Sequence, residues 1–219
     1  MSYLNHFLSS VNWYNNHLFK QKASMMVLRF YVSFLPVILA GIANSIFVKT
    51  RAFDHLAKPL DRDRKFLDNR PIFGSSKTYK GFLGYVVLTM LFMLIWGFLC
   101  STIPWLQENN YFYQSNENSI LFNLSVGFLL GFAWALFELP NSFLKRRLDI
   151  QPSKSYGGFK GIFFIVLDQA DSIFGVALVL VLFYPLSVAQ YFVFVAIGAL
   201  THLFFNFLLY LLKIRKRPV

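Results

Sequence analysis

The 219-residue chain is 56% hydrophobic and 19% aromatic, with a mean hydropathy of +0.50, which excludes an ordinary soluble domain and fits one polytopic membrane bundle. Its formal net charge is +11. The basic residues gather in loops between apolar runs, a pattern that sets membrane orientation and suits anionic lipid or nucleotide partners rather than nucleic acid.

Residues 1–24 are polar and aromatic, without the short apolar core of a cleavable signal. They are expected to form an N-terminal interfacial segment, and residues 25–219 the membrane domain. Five runs have the length and composition to span a bilayer: 25–48, 82–103, 120–139, 161–184 and 187–212. The expected fold is therefore all-α, a bundle of about five transmembrane helices whose basic loops form the active site. Pro36 and Gly41 fall inside the first span, where neighbouring helices can satisfy the freed backbone groups. Cys100 is the only cysteine, so no internal disulfide forms.

The loops differ sharply in charge. Loop 49–80 contains Arg62, Arg64, Lys65, Arg70, Lys77 and Lys80 among its basic residues; loop 140–160 contains Lys145, Arg146, Arg147, Lys154 and Lys160; the tail carries Lys213, Arg215, Lys216 and Arg217. Loop 104–119 has no Lys or Arg, only Glu108 and Glu117. This asymmetry predicts both basic loops and the C-terminus in the cytoplasm and the N-terminus outside. Lys20, Lys22 and Arg29 oppose that orientation but are outnumbered.

Within loop 49–80, Gly74-Ser-Ser-Lys77-Thr78-Tyr-Lys-Gly81 resembles half of a phosphate-binding Walker loop. Ser76 stands where that motif needs Gly, and no strand precedes it. A helix cap flanked by positive charge explains the segment as well as a phosphate cradle does. Asp61 and Asp63 lack calcium-loop spacing and read as a solvated charge run. Gly157-Gly158, between Lys154 and Lys160, reads as a loop first and a phosphate clamp second. His202 and Asn206 share a face of the last span, where interhelical hydrogen bonding is the plainer role. Asn44, at the end of the first span, is open to either reading.

The fourth span holds the most informative feature: Asp168 and Asp171, three residues apart on one helix face. Each carboxylate costs roughly 2.5–3.5 kcal/mol at a bilayer centre, so the pair calls for a compensating partner. A divalent metal is the better answer, because a purely structural intramembrane charge pair is the rarer case; the alternative is an ion-pair network with Lys145 or Arg146. In the expected topology, Glu138 and both basic loops converge on the same cytoplasmic cavity.

Ser142-x-x-Lys145-Arg146, Gly157-Gly158 and Asp168-Gln-Ala-Asp171 together resemble the signature of CDP-diacylglycerol synthases. Adding Lys58-Pro-Leu-Asp61 and Gly74–Gly81, the chain is more similar to the CDP-archaeol synthase family, over about residues 40–175. It departs in having Phe137-Glu138 where the family often has Gly-Asp, and the residues before Met25 have no clear counterpart. The resemblance implies transfer of a cytidylyl group from CTP to a membrane lipid phosphate, releasing pyrophosphate. It further implies Mg2+ held by Asp168 and Asp171 with Glu138, and phosphate contacts from Lys145, Arg146 and Lys77. Asn44, Gly74, Thr78, Ser142 and Arg147 would complete the substrate site. A CTP-dependent lipid kinase or a cation-coupled transporter are the alternatives; the absence of an inverted repeat counts against the second.

Overall fold

The computed structural model describes residues 2–150 and 158–215, with side chains from residue 17 onward except at 159 and 160. Among the described residues six α-helices follow in chain order: α1 Ser2–Phe47, α2 Tyr79–Thr102, α3 Pro104–Glu108, α4 Ile120–Arg147, α5 Gly158–Phe183 and α6 Val188–Leu211. Five are long and apolar enough to cross a membrane, α1 through its portion His17–Phe47, and α3 is a short turn between spans. The protein is an integral membrane bundle.

Two helix boundaries depart from the sequence reading. α1 continues unbroken through residue 24, so helix geometry alone marks no junction between the expected interfacial segment and the first span. α4 passes through Pro140 and runs to Arg147. At 28 residues and about 1.5 Å each, it outreaches a core about 30 Å thick. Proline removes one intrahelical donor, but helix ends at a membrane boundary tolerate that loss, and Ser142 Oγ donates to the Glu138 carbonyl at 3.0 Å beside the proline. Asn141, Ser142, Lys145 and Arg146 therefore lie on a rigid helix rather than a loop.

α2 and α4 pack most closely. A Cβ on Gly127 or Gly131 would come within 2.7 Å of the Met90 and Val86 Cα atoms respectively. The Gly127-x-x-x-Gly131 spacing lets the two backbones approach, as membrane helix pairs require. The core between the helices holds Phe34, Met93, Val126, Leu130, Leu180 and Phe194.

The two ends of the bundle differ. At the far end, residues 103–119 join α2 to α4 through neutral hydrogen bonds. At the basic end, the 48–78 connection is an ordered cap. Isolated bridges join Pro59 to Thr78 and Lys65 to Pro71. Asp61, expected to be solvated, is buried at 6% exposure and accepts from the backbone N–H groups of Phe73 and Gly74, both at 2.8 Å. Its carboxylate organises the turn that the charge-run reading leaves unexplained.

Candidate active site

Four elements build the site: the C-terminal turns of α4, the N-terminal half of α5, the 48–78 cap and the end of α6. Asn141 and Lys145, four residues apart, share one face of α4. Across from them on α5 stand Asp168 and Asp171. The Asn141 amide nitrogen donates to Asp168 Oδ1 and to Asp171 Oδ2, each at 2.7 Å. Lys145 pairs with Asp168 and lies 5.7 Å from the Phe164 ring centroid. Asp171 also accepts from the Ser172 backbone N–H at 2.6 Å. The ion-pair reading of the aspartates thus holds for Lys145 and Asp168.

Lys77, from the cap, pairs with Glu138 of α4, and Trp134 Nε1 donates to the other Glu138 oxygen at 2.9 Å. Burial, the largest influence, opposes the Lys77 charge, but the Glu138 carboxylate together with Asp171 and Asp168 outweighs it and holds the lysine pKa above its ordinary value. Lys77 is therefore a charged ammonium, poised between Glu138 and the aspartates.

The arginines do different work. Arg146 is buried at 6% exposure; its Nε donates to the Phe73 carbonyl at 3.0 Å, and its Nη1 to the Ile150 carbonyl. Arg147 donates to the Pro71 carbonyl, lies 3.1 Å from Asp68, and stacks over Phe66 and Phe143. Arg70 returns the contact, donating to the Arg147 carbonyl and to Asp149 at 2.7 Å. These planar forks fasten the cap to α4, a task for which Arg geometry is suited.

Gly74 adopts φ +85°, in the left-handed region that favours glycine, where the cap folds over Asp61. Thr78 caps α2, accepting from the Gly81 N–H at 3.1 Å. Asn44 Nδ2 donates to the Gly81 carbonyl at 3.1 Å, while its Oδ1 is buried without a partner.

Beside these groups lies a cavity of about 150 Å³ between α1, α4, α5 and α6. Its inner wall is apolar, with Phe30, Phe34, Val37, Val176 and Ala177. Its outer rim is polar, with Asn44, Glu138, His202, Asn206 and Arg215. His202 and Asn206 also bond to Gln169 of α5, at 3.3 and 2.8 Å, so their packing role and their place on the rim coexist.

The sequence model of the CarS-like CDP-archaeol synthase family matches residues 24–219. The chain belongs to the CDP-archaeol synthase family. It is 36% identical over 132 residues to a CDP-archaeol synthase of Methanoculleus marisnigri, spanning 58% of this chain and 65% of that protein. To the CDP-archaeol synthase of Pyrobaculum islandicum it is 30% identical over 177 residues, 81% of this chain and 91% of that one. A solved structure, described as an intramembrane enzyme for archaeal membrane lipids biosynthesis, shares its fold. The TM-score is 0.53 at 20% identity, over 80% of this chain and 91% of that chain. This family member is thus a membrane-embedded cytidylyltransferase, and neither the lipid-kinase nor the transporter reading is favoured.

Against the residues expected of a CDP-archaeol synthase, the structure sorts the motif in two. Asp168, Asp171, Lys145, Lys77 and Glu138 gather around the α4–α5 cleft. Arg146, Arg147, Gly74 and Thr78 build the scaffold that holds the cap, and Ser142 bonds back into its own helix. The expected three-acid group does not assemble: among the described residues no three His, Cys, Asp or Glu side chains are placed to share one ion. Glu138 is instead taken up by Lys77 and Trp134. Lys154 and Gly157 lie outside the described residues, as does the side chain of Lys160.

The structure also adds Asn141. Its Oδ1 is buried without a partner, on the same amide that bridges the two aspartates. The two carboxylates and, with its amide turned over, the Asn141 oxygen are all-oxygen donors of the kind that hard cations such as Mg2+ take. The residues present fit that ion.

Proposed function

We propose that this enzyme joins CTP to a lipid phosphate of the archaeol type, giving a CDP-activated lipid and pyrophosphate at the cytoplasmic face of the membrane. The observation that carries this reading is the meeting of a charged α4–α5 cleft with an apolar cavity whose polar rim opens beside it. The loop charge asymmetry supports the orientation.

A lipid phosphate is already an anionic nucleophile near neutral pH, which accords with a cleft built of carboxylates, lysines and amides. A phosphate oxygen attacks the α-phosphorus of CTP, a new P–O bond forms, and the bond to the bridging oxygen breaks with release of pyrophosphate. The protein's work is to bring two anions together and neutralise the leaving group. Lys145 and Lys77 rest against Asp168 and Glu138, and each exchanges its carboxylate for a phosphate oxygen as substrate enters. Asn141 keeps the two aspartates on one side of the cleft. Asp168, Asp171 and Asn141 would hold Mg2+, which when bound offsets phosphate charge and orients the triphosphate. The apolar inner wall receives the lipid chain while the head group stays at the rim.

Purified protein incubated with labelled CTP, Mg2+ and either archaeol-type or diacylglycerol-type phosphates tests the reading. The expected products are pyrophosphate and a labelled CDP-lipid, with the archaeol-type arm faster. Release of CDP with a newly phosphorylated lipid would mark kinase chemistry instead. No pyrophosphate in either arm, with the fold intact, would end the proposal.

A further inference from the structure

From the turn that follows α6, we infer that Arg215 is the residue that receives the phosphate of the lipid substrate at the cavity rim. The inference rests on the proposed reaction and names a contact within it. After α6, Lys213 adopts φ +58°, in the left-handed region. The Ile214 and Arg215 backbone N–H groups both return to the Leu209 carbonyl, at 2.9 and 3.0 Å. This closing turn satisfies end carbonyls as helix C-caps do and reverses the chain over the bundle end. Arg215 is thereby carried back to line the cavity with Asn44, Glu138 and His202.

Its electrostatic position is distinct. Lys77 is spent on Glu138, Lys145 on Asp168, and Arg146 and Arg147 on the cap. The Arg215 side chain makes no hydrogen bond or ion pair with a described residue, although it is half-buried and lies in the field of Glu138 and Asp168. A planar cation held without a partner over an apolar chamber matches a ligand with an oxyanion at one end and hydrocarbon behind it. Phe30, Phe34, Val37 and Val176 supply the hydrocarbon side. The same oxyanion chemistry is present on CTP. The apolar wall of the same cavity assigns this cation to the lipid, while Lys77 and Lys145 face the α4–α5 cleft.

The experiment measures KM for each substrate by pyrophosphate release, using full-length Arg215→Gln, Arg215→Lys and Lys213→Gln. Lys213 is exposed, sits on the same tail and does not line the cavity. Arg215→Gln is expected to raise KM for the lipid phosphate about tenfold or more, as loss of a charged hydrogen bond does, with KM for CTP within about twofold. Arg215→Lys recovers part of the loss, and Lys213→Gln matches wild type. An unchanged lipid KM in Arg215→Gln overturns the inference. So does an equal rise in Lys213→Gln, or a rise confined to CTP. A wild-type protein that releases no pyrophosphate fails earlier, and takes the function reading down with it.

Discussion

The two ends of the bundle bury polar groups by opposite rules. In the 103–119 connection at the far end the bonded groups are neutral and the chain of bonds closes. Tyr113 Oη donates to Asn123 Oδ1 at 2.7 Å, Asn123 Nδ2 to Asn118 Oδ1 at 2.8 Å, and Asn118 Nδ2 to the Gly97 carbonyl at 2.7 Å. Tyr111 N–H donates to Ser33 Oγ, tying the same segment to α1. At the basic end the groups are charged, and the pairs are ones a phosphate or cation can take over. Among the described residues, both buried side-chain oxygens without a partner, Asn44 Oδ1 and Asn141 Oδ1, lie there, whereas Arg29 Nε, toward the far end, is a buried donor without one. A closed neutral network fastens helices; an open charged one stores binding capacity at a cost in stability. The proposed site sits where acceptor oxygens are left open.

The sharpest break in that contrast comes from the aspartates. Asp168→Asn and Asp171→Asn each remove one negative charge at nearly constant volume. In the proposed site, each should lower pyrophosphate release by more than the ~10–100-fold that loss of an outer partner costs. Thermal unfolding in detergent should change little or rise for Asp171→Asn, which removes a buried charge, and fall for Asp168→Asn, which leaves Lys145 without its partner. If stability collapsed while turnover per folded molecule held, the pair would be a structural ion network like any other.

Asn141→Ala comes next. The side chain bridges both carboxylates, and its loss lets them move apart without altering their charge. Turnover should fall by about 10–100-fold, with a raised Mg2+ requirement. Titrating Mg2+ against activity separates this from simple misfolding, since excess metal should recover part of the loss. No shift in the Mg2+ dependence would leave Asn141 as a helix-packing residue and blur the difference between the two ends.

How much of this was readable from residues alone depends on whether a partner lay nearby in sequence. The five spans follow from hydropathy, and the aspartates stand out because intramembrane carboxylates demand an explanation. The extension of α4 to Arg147 is hidden by Pro140, since proline ordinarily marks an end and only the membrane-edge setting lets the helix continue. Arg146 and Arg147 look like phosphate ligands by type. Their actual partners, Phe73, Pro71 and Asp68, sit more than seventy residues earlier, and no local pattern points to them. Asp61 is obscured in the same way, two of its three backbone donors lying twelve and thirteen residues on. Asn141 carries no signal of its own until α5 is placed beside it. Gly127-Phe-Leu-Leu-Gly131, by contrast, is a readable small-residue spacing, and it is where α4 backs onto α2.

The gentlest test falls on the far end, with Tyr113→Phe. The ring remains, so its 6.2 Å contact with Phe122 survives, and only the hydroxyl is lost. Burial pushes the Tyr113 pKa up, so in the wild type this hydroxyl stays a neutral donor across the working pH range. Its removal leaves Asn123 Oδ1 without that donor, which costs ~1–3 kcal/mol for a buried acceptor. Asn123 itself remains anchored through Nδ2, and α4 keeps its glycine-mediated contact with α2, which holds the cost toward the lower part of that range. The unfolding midpoint in detergent should therefore drop while turnover per folded molecule, and both KM values, match wild type. The cleft lies about four to five turns along α4 from Asn123, roughly 27 Å at 1.5 Å per residue between Asn123 and Asn141. A neutral bond at that distance exerts no field on the triphosphate. If Tyr113→Phe instead cut turnover as deeply as Asn141→Ala, with the fold retained, the far end would be coupled to the chemistry and the division between fastening and binding would not hold.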